Sequence, residues 1–161
     1  MSLDAAEYTA PMVRHQLPND LLLGEVEQLL AKGHDVVLVP KGRSMLPFIR
    51  GGIDKLLLRK PSVNELCVGD IVLARTGEGQ YVLHRIIAIA DEKIELMGDG
   101  NLQGTEVVER GDVVGKVVEI ITPTGQRRKP SRGWLWRKLR PIRKHLLKVY
   151  RKWHKVFDKQ K

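Results

Sequence analysis

Among the 161 residues there is one cysteine, Cys67, which excludes an internal disulfide and any cysteine-based metal cluster. In the stretch Glu65-Leu66-Cys67-Val68 it reads as a small buried hydrophobe rather than a reactive thiol. Long apolar runs are also lacking: none approaches the roughly 18 to 20 residues needed to span a bilayer. Met1 to Asn19 shows no basic start followed by an apolar core, so no signal peptide is expected. A cytoplasmic location is the resulting expectation. Acid is nearly absent from the last part of the chain. Residues 126–161 hold 15 Lys or Arg against Asp158 alone, whereas the preceding 125 residues hold 13 basic and 18 acidic side chains. The net charge of +9 therefore averages a mildly acidic domain and a strongly basic tail.

What is present divides into three parts. Residues 1–17 show no periodicity and form a lead-in. Residues 18–121 carry the pattern of a folded domain. Pro18-Asn19-Asp20 opens a helical repeat through Leu22, Val26, Leu29 and Leu30, stopped by Gly33, and predicts a helix from about Asp20 to Lys32. Short β patterns follow at Val36–Val39, Ile53–Arg59, Ile71–Arg75, Gln80–Ala90, Lys93–Met97 and Asp112–Ile121, with Thr76-Gly77-Glu78-Gly79 as a hairpin turn. These predict a mainly β fold: a twisted, partly closed antiparallel sheet with an N-terminal helix and a basic C-terminal helix. Thr122-Pro123-Thr124-Gly125 reads as a linker, so residues 122–161 are expected to be a linker and helical tail.

Three short motifs carry the residue types of nucleophilic catalysis. In Lys41-Gly42-Arg43-Ser44-Met45-Leu46-Pro47 a serine lies between a glycine and a proline, which suits a rigidly presented hydroxyl. Such a hydroxyl needs a nearby base to become a nucleophile. In Tyr81-Val82-Leu83-His84-Arg85-Ile86 strand alternation groups His84 with Val82 and Ile86, on a core-like face. Histidine is a common general base in catalysis. Met97-Gly98-Asp99-Gly100-Asn101 supplies a carboxylate able to orient an imidazole. Each motif also has a plain reading, as a turn serine, a satisfied half-buried histidine and a turn aspartate.

Taken in order, Ser-Met-x-Pro, Gly-Asp-Ile-Val, His-Arg-Ile, Gly-Asp-x-Asn and Gly-Lys-Val resemble the type I signal peptidases, a superfamily that includes the self-cleaving repressors. The resemblance runs from about Val36 to Val118, and a histidine in the His-Arg motif is similar to the microsomal and archaeal branch. It implies a serine peptidase with Ser44 as nucleophile, His84 as general base and Asp99 as the group that orients or charge-stabilises the histidine. Glu106 is the nearest candidate for a second acid. Asp112 reads as a strand start. Gly42, Ser44 and Met45 would form the oxyanion and substrate edge, with the Ser44 N–H as the main oxyanion donor. The substrate would be a signal or leader peptide, or a similar precursor, added as a strand. No metal and no organic cofactor are implied.

The tail repeats Leu135, Leu139, Ile142, Leu146, Val149, Trp153 and Val156 on one helical face. Arg137, Lys138, Arg140, Arg143, Lys144, Lys148, Arg151 and Lys152 lie between them, with Trp134, Trp136, Tyr150 and Phe157 as further aromatics. Peripheral docking on the acidic inner surface of a membrane is the first expectation. Nucleic-acid binding through phosphates is the second, and packing on the domain or on a second copy the third. The competing class for the whole chain is a non-catalytic or regulatory module that holds peptide or nucleic acid, as a relative of the repressors would. The single short helix before the β region is too little for a helix-turn-helix, which favours the enzyme.

Overall fold

The computed structural model of the protein describes residues 19–157. The expected lead-in, 1–17, lies outside the described residues. Helix α1 (Asn19–Ala31) is followed by strands β1 (Val36–Leu38), β2 (Lys55–Arg59), β3 (Ile71–Arg75), β4 (Tyr81–Ala90), β5 (Lys93–Met97), β6 (Glu106–Glu109), β7 (Val113–Ile121) and β8 (Arg127–Arg128). Helices α2 (Trp134–Lys138) and α3 (Arg143–Phe157) complete it. The strands form one antiparallel sheet, ordered β1-β2-β7-β3-β4-β5-β6, with β8 paired to β7. The mainly β architecture agrees with expectation; the sheet is not closed. Among the described residues no helix is long and apolar enough to cross a membrane.

Both faces of the sheet are packed, which explains why so many strand positions are apolar. One face holds Leu56, Leu58, Ile71, Leu73, Val114, Val117 and Ile120 beneath Val26 and Leu30 of α1. Gly115 lies directly under Leu30: a Cβ there would come within 2.8 Å of Leu30 Cδ1. The other face buries Val72, Ala74, Ile86, Ile94, Leu96 and Val108. Strand β4 serves both. Tyr81 and Leu83 pack on the first cluster and Val82 and Ile86 on the second. At about 25 cal/mol per Å² of apolar area removed from water, these clusters are the main stabilising term.

Three sequence expectations are corrected. Thr122–Gly125 is the turn of a hairpin, because β8 pairs with β7 through Ile120–Arg128 and Ile121–Arg127. The folded part does not stop at Ile121: β8 belongs to the sheet, and Leu147 of α3 is buried. Cys67 is exposed rather than buried. Its backbone N–H is used by the turn, donating to Asp70 Oδ2 at 2.9 Å. Strand β6 is an addition. Glu106-Val107-Val108-Glu109 alternates, but it is short and lies at the sheet edge.

Candidate active site

Ser44 lies in the irregular segment between β1 and β2. Gly42 has φ +87°, a left-handed conformation that a side chain would strain. Gly51 is packed so tightly on the Gly42 carbonyl that any Cβ there would collide with it. Met45 and Ile49 anchor the segment in the core. Asp54 closes it: Arg50 N–H donates to Asp54 Oδ2 at 2.8 Å, and Arg50 Nη2 to Oδ1 at 2.7 Å. Burial alone would raise the Asp54 carboxyl, but these hydrogen bonds and the charges of Arg50 and Arg128 hold it below the ordinary carboxylate range. The Ser44 carbonyl accepts the N–H of Gly100 at 2.7 Å. Among the described residues the Ser44 amide takes no backbone partner.

His84 is buried, and its Nδ1 lies 2.8 Å from Glu106 Oε2. The register explains the meeting. Ile86 pairs with Leu96, and Leu96 with Glu106, so Glu106 shares the face of Val82, His84 and Ile86. With the Nδ1 proton donated to the carboxylate, the lone pair of the imidazole is on Nε2. Ser44 and His84 both line one cleft of about 220 Å³, together with Leu38, Val39, Lys41, Gly42, Met45 and Leu83 among others. No hydrogen bond joins the Ser44 hydroxyl to His84 among the described residues; the fold brings them together as walls of the same cleft.

Asp99 does not bond to His84: among the described residues no hydrogen bond or ion pair joins the two side chains. Its carboxylate is taken in bidentate fashion by Arg85, with Nε–Oδ1 at 2.8 Å and Nη2–Oδ2 at 2.7 Å, and both side chains are buried. Arg85 alternates with His84 on β4 and therefore points to the opposite face. The carboxylate that meets the histidine is Glu106. Asp112 closes the 3-10 turn before β7, accepting the Glu109 N–H at 3.1 Å. The sequence offered Glu106 only as a candidate second acid; the pairing of β6 with β5 is what brings it to His84.

The other shared motifs form structure around the site. Gly-Asp-Ile-Val and Gly-Lys-Val meet in the Asp70–Lys116 ion pair at 2.9 Å. Arg85 Nη1 also donates to the Gly69 carbonyl at 2.7 Å. The glycines flanking Asp99 permit close backbone approach. A Cβ on Gly98 would lie 2.6 Å from the Ser44 carbonyl oxygen, and one on Gly100 2.5 Å from that of Arg43. Met45 contributes by packing, being buried in the core.

Two backbone edges border the cleft. Among the described residues strand β1 pairs with β2 and no other strand, and Val82–His84 of β4 pair with β3 but not with β5, which joins from Arg85 onward. Among the described residues no group of three or more His, Cys, Asp or Glu is placed to hold a metal ion.

Of the basic residues expected to form a surface, Arg143 is buried and unavailable to a partner. Its guanidinium lies over the Trp136 ring at 5.3 Å. Burial pulls Arg143 below the usual guanidinium value; the Asp99 charge opposes this, and Arg140 and Arg85 add to it. Lys138, Arg140, Lys144, Lys148, Arg151 and Lys152 are exposed, and Arg137 is half-buried. Trp134, Leu135, Ile142, Leu146 and Val149 are exposed with them. Leu139 is half-buried, and nothing is described of the Trp153 and Val156 side chains.

The chain matches no protein-family model, no curated protein and no solved structure.

Proposed function

We propose that the protein is a serine endopeptidase of the signal-peptidase type, with Ser44 as nucleophile, His84 as general base and Glu106 as the acid that orients and charge-stabilises it. The observation that carries this reading is the Glu106–His84 bond at a cleft that Ser44 also lines. Ser44 Oγ attacks the peptide carbonyl while His84 Nε2 takes the hydroxyl proton. Glu106 stabilises the resulting imidazolium. His84 returns the proton to the leaving amine, and water then hydrolyses the acyl-serine by the same route. The Ser44 N–H, which takes no backbone partner among the described residues, supports an oxyanion role, and catalytic hydrogen bonds are often completed only by substrate. An extended peptide fits the backbone edge of β4 at Val82–His84 and the neighbouring Leu38–Gly42 segment. A signal or leader peptide, or a similar precursor, is the proposed substrate.

The test is to treat the protein with a serine-directed phosphonate, locate the adduct by mass spectrometry, and offer the untreated protein a peptide library. A phosphonate on Ser44 together with defined cut sites is the expected result. An unmodified Ser44 combined with an uncut library would support a non-catalytic peptide-binding module instead.

The α2–α3 surface is proposed to dock on an acidic membrane. An apolar row of Trp134, Leu135, Ile142, Leu146 and Val149 is exposed beside cations, without a single acid between residues 126 and 157. Replacing Lys138, Lys144 and Lys148 by Gln is expected to weaken binding to phosphatidylserine vesicles by roughly 10²-fold, at about 1 kcal/mol per cation. Co-sedimentation measures it. Equal binding to neutral vesicles, or tighter binding to duplex DNA than to vesicles, would remove the membrane reading.

A further inference from the structure

The inward face of the last two helices is seated on the loop that supports Ser44. Trp136 Nε1–H donates to the Asp99 carbonyl at 2.9 Å. Arg143 Nη1 reaches the Asn101 carbonyl at 3.4 Å, and its Nη2 donates to the Trp136 carbonyl at 3.2 Å. Trp136 also packs edge-on against Phe48, four residues after the nucleophile, with centroids 5.9 Å apart. The loop itself holds Ser44, through the Gly100 N–H on the Ser44 carbonyl. The start of the tail is locked in as well. Arg85 Nη1 donates to the Ser131 carbonyl at 2.5 Å, and a Cβ on Gly133 would strike the Arg85 guanidinium at 2.9 Å.

We propose that Trp136 and Arg143 are positioning residues for Ser44: they hold the Asp99–Asn101 loop, and that loop holds the nucleophile's backbone. The proposal rests on the reading of Ser44 as nucleophile. Neither residue lines the cleft. Their effect is transmitted over two bonded steps, Trp136 to Asp99 and Gly100 to Ser44. A displacement of the order of 1 Å in a reacting group can cost about 10²-fold in rate. Arg143 suits the task because it is buried and flanked by aromatic and backbone groups, which restrict it to one arrangement.

Two variants of the full chain test this. Trp136→Phe keeps a ring against Phe48 and loses the donor to Asp99; Trp136→Ala loses both. Amide exchange at Gly100 is followed by NMR, and Ser44 acylation by the phosphonate is followed as a function of its concentration. Circular dichroism checks that each variant is folded. The expected result is faster Gly100 exchange and acylation slowed by roughly 10- to 100-fold in Trp136→Ala, with the half-saturating concentration unchanged and Trp136→Phe intermediate. Arg143→Ala is expected to follow Trp136→Ala, with partial rescue by Arg143→Lys. Folded variants with Gly100 exchange and acylation within about twofold of the parent would overturn the proposal. So would a loss confined to the half-saturating concentration. A parent that is not acylated at Ser44 removes the peptidase reading; the Gly100 amide then decides the hold by itself, and unchanged exchange sinks it.

Discussion

Ser44→Ala and His84→Ala are each expected to reduce peptide cleavage by on the order of 10⁴- to 10⁶-fold, and the pair together by little more, because the two side chains act as one unit. Glu106→Gln is expected to follow at about 10³- to 10⁴-fold. A carboxylate accepts the Nδ1 proton and leaves Nε2 free to act as base. An amide offers an N–H as well as a carbonyl, so it permits the opposite tautomer, and it cannot stabilise the imidazolium. Single-turnover cleavage at saturating peptide measures the effect on kcat without product release. The competing assignment, Asp99 as the orienting acid, makes the reverse prediction. Asp99 is already occupied on both oxygens by Arg85. If Glu106→Gln stays within about tenfold of the parent while a folded Asp99→Asn loses about 10³-fold or more, the Glu106 assignment is wrong.

The largest stability effect is expected at Arg85. Arg85→Met leaves the Asp99 carboxylate buried, 3 % exposed, with its ionic partner gone. Removing one partner of such a pair costs about 3–5 kcal/mol. It also frees the Gly69 and Ser131 carbonyls, which Arg85 bridges. The melting temperature should fall by roughly 10 °C or more, given about 2–4 °C per kcal/mol in a protein of this size. The double replacement Arg85→Met with Asp99→Leu should recover part of the loss, because neither member of the pair is then left as a lone buried charge, although Arg143 loses the Asp99 charge. Urea denaturation of the four proteins closes the cycle. A single Arg85→Met variant within about 1 kcal/mol of the parent would show that water or another cation reaches Asp99.

Much of the fold follows from local patterns. Ile71–Arg75 and Lys93–Met97 have the expected bounds, and the remaining long strands differ by a residue or two at their ends. Apolar alternation and turn residues suffice there because both faces of the sheet are buried. Glu106–Glu109 was not legible, since a four-residue edge strand with acids at both ends resembles a loop until a partner is supplied. Glu106 was therefore legible only as a candidate second acid, and its meeting with His84 needed the β5–β6 register. Ser44 and His84 were visible as motif residues, and the structure brings both to one cleft. The misplaced role of Asp99 has a simple cause: His84 and Arg85 are neighbours in sequence but face opposite ways, and the carboxylate chose the arginine. In the tail two helical rows of the same spacing lie side by side. One runs through Leu135, Ile142, Leu146 and Val149, and the other through Trp136, Arg143 and Leu147. Hydrophobicity favours the first, yet the second packs, because Trp136 and Arg143 can satisfy carbonyls of the Asp99–Asn101 loop as well as fill space.

The seat of α2 and α3 on that loop also sets an order of events during synthesis. A ribosome builds the chain from its N-terminus, and structure forms as segments emerge. A nascent chain exposed only as far as Thr122 already contains Ser44, His84 and Glu106, with the strands that carry the latter two. It lacks Ser131, Trp136 and Arg143, the groups that cover Arg85 and hold the Asp99–Asn101 loop from outside. Ser44 is thus made well before the segments that support its backbone from outside, and the finished geometry around it waits for α2 and α3 to emerge.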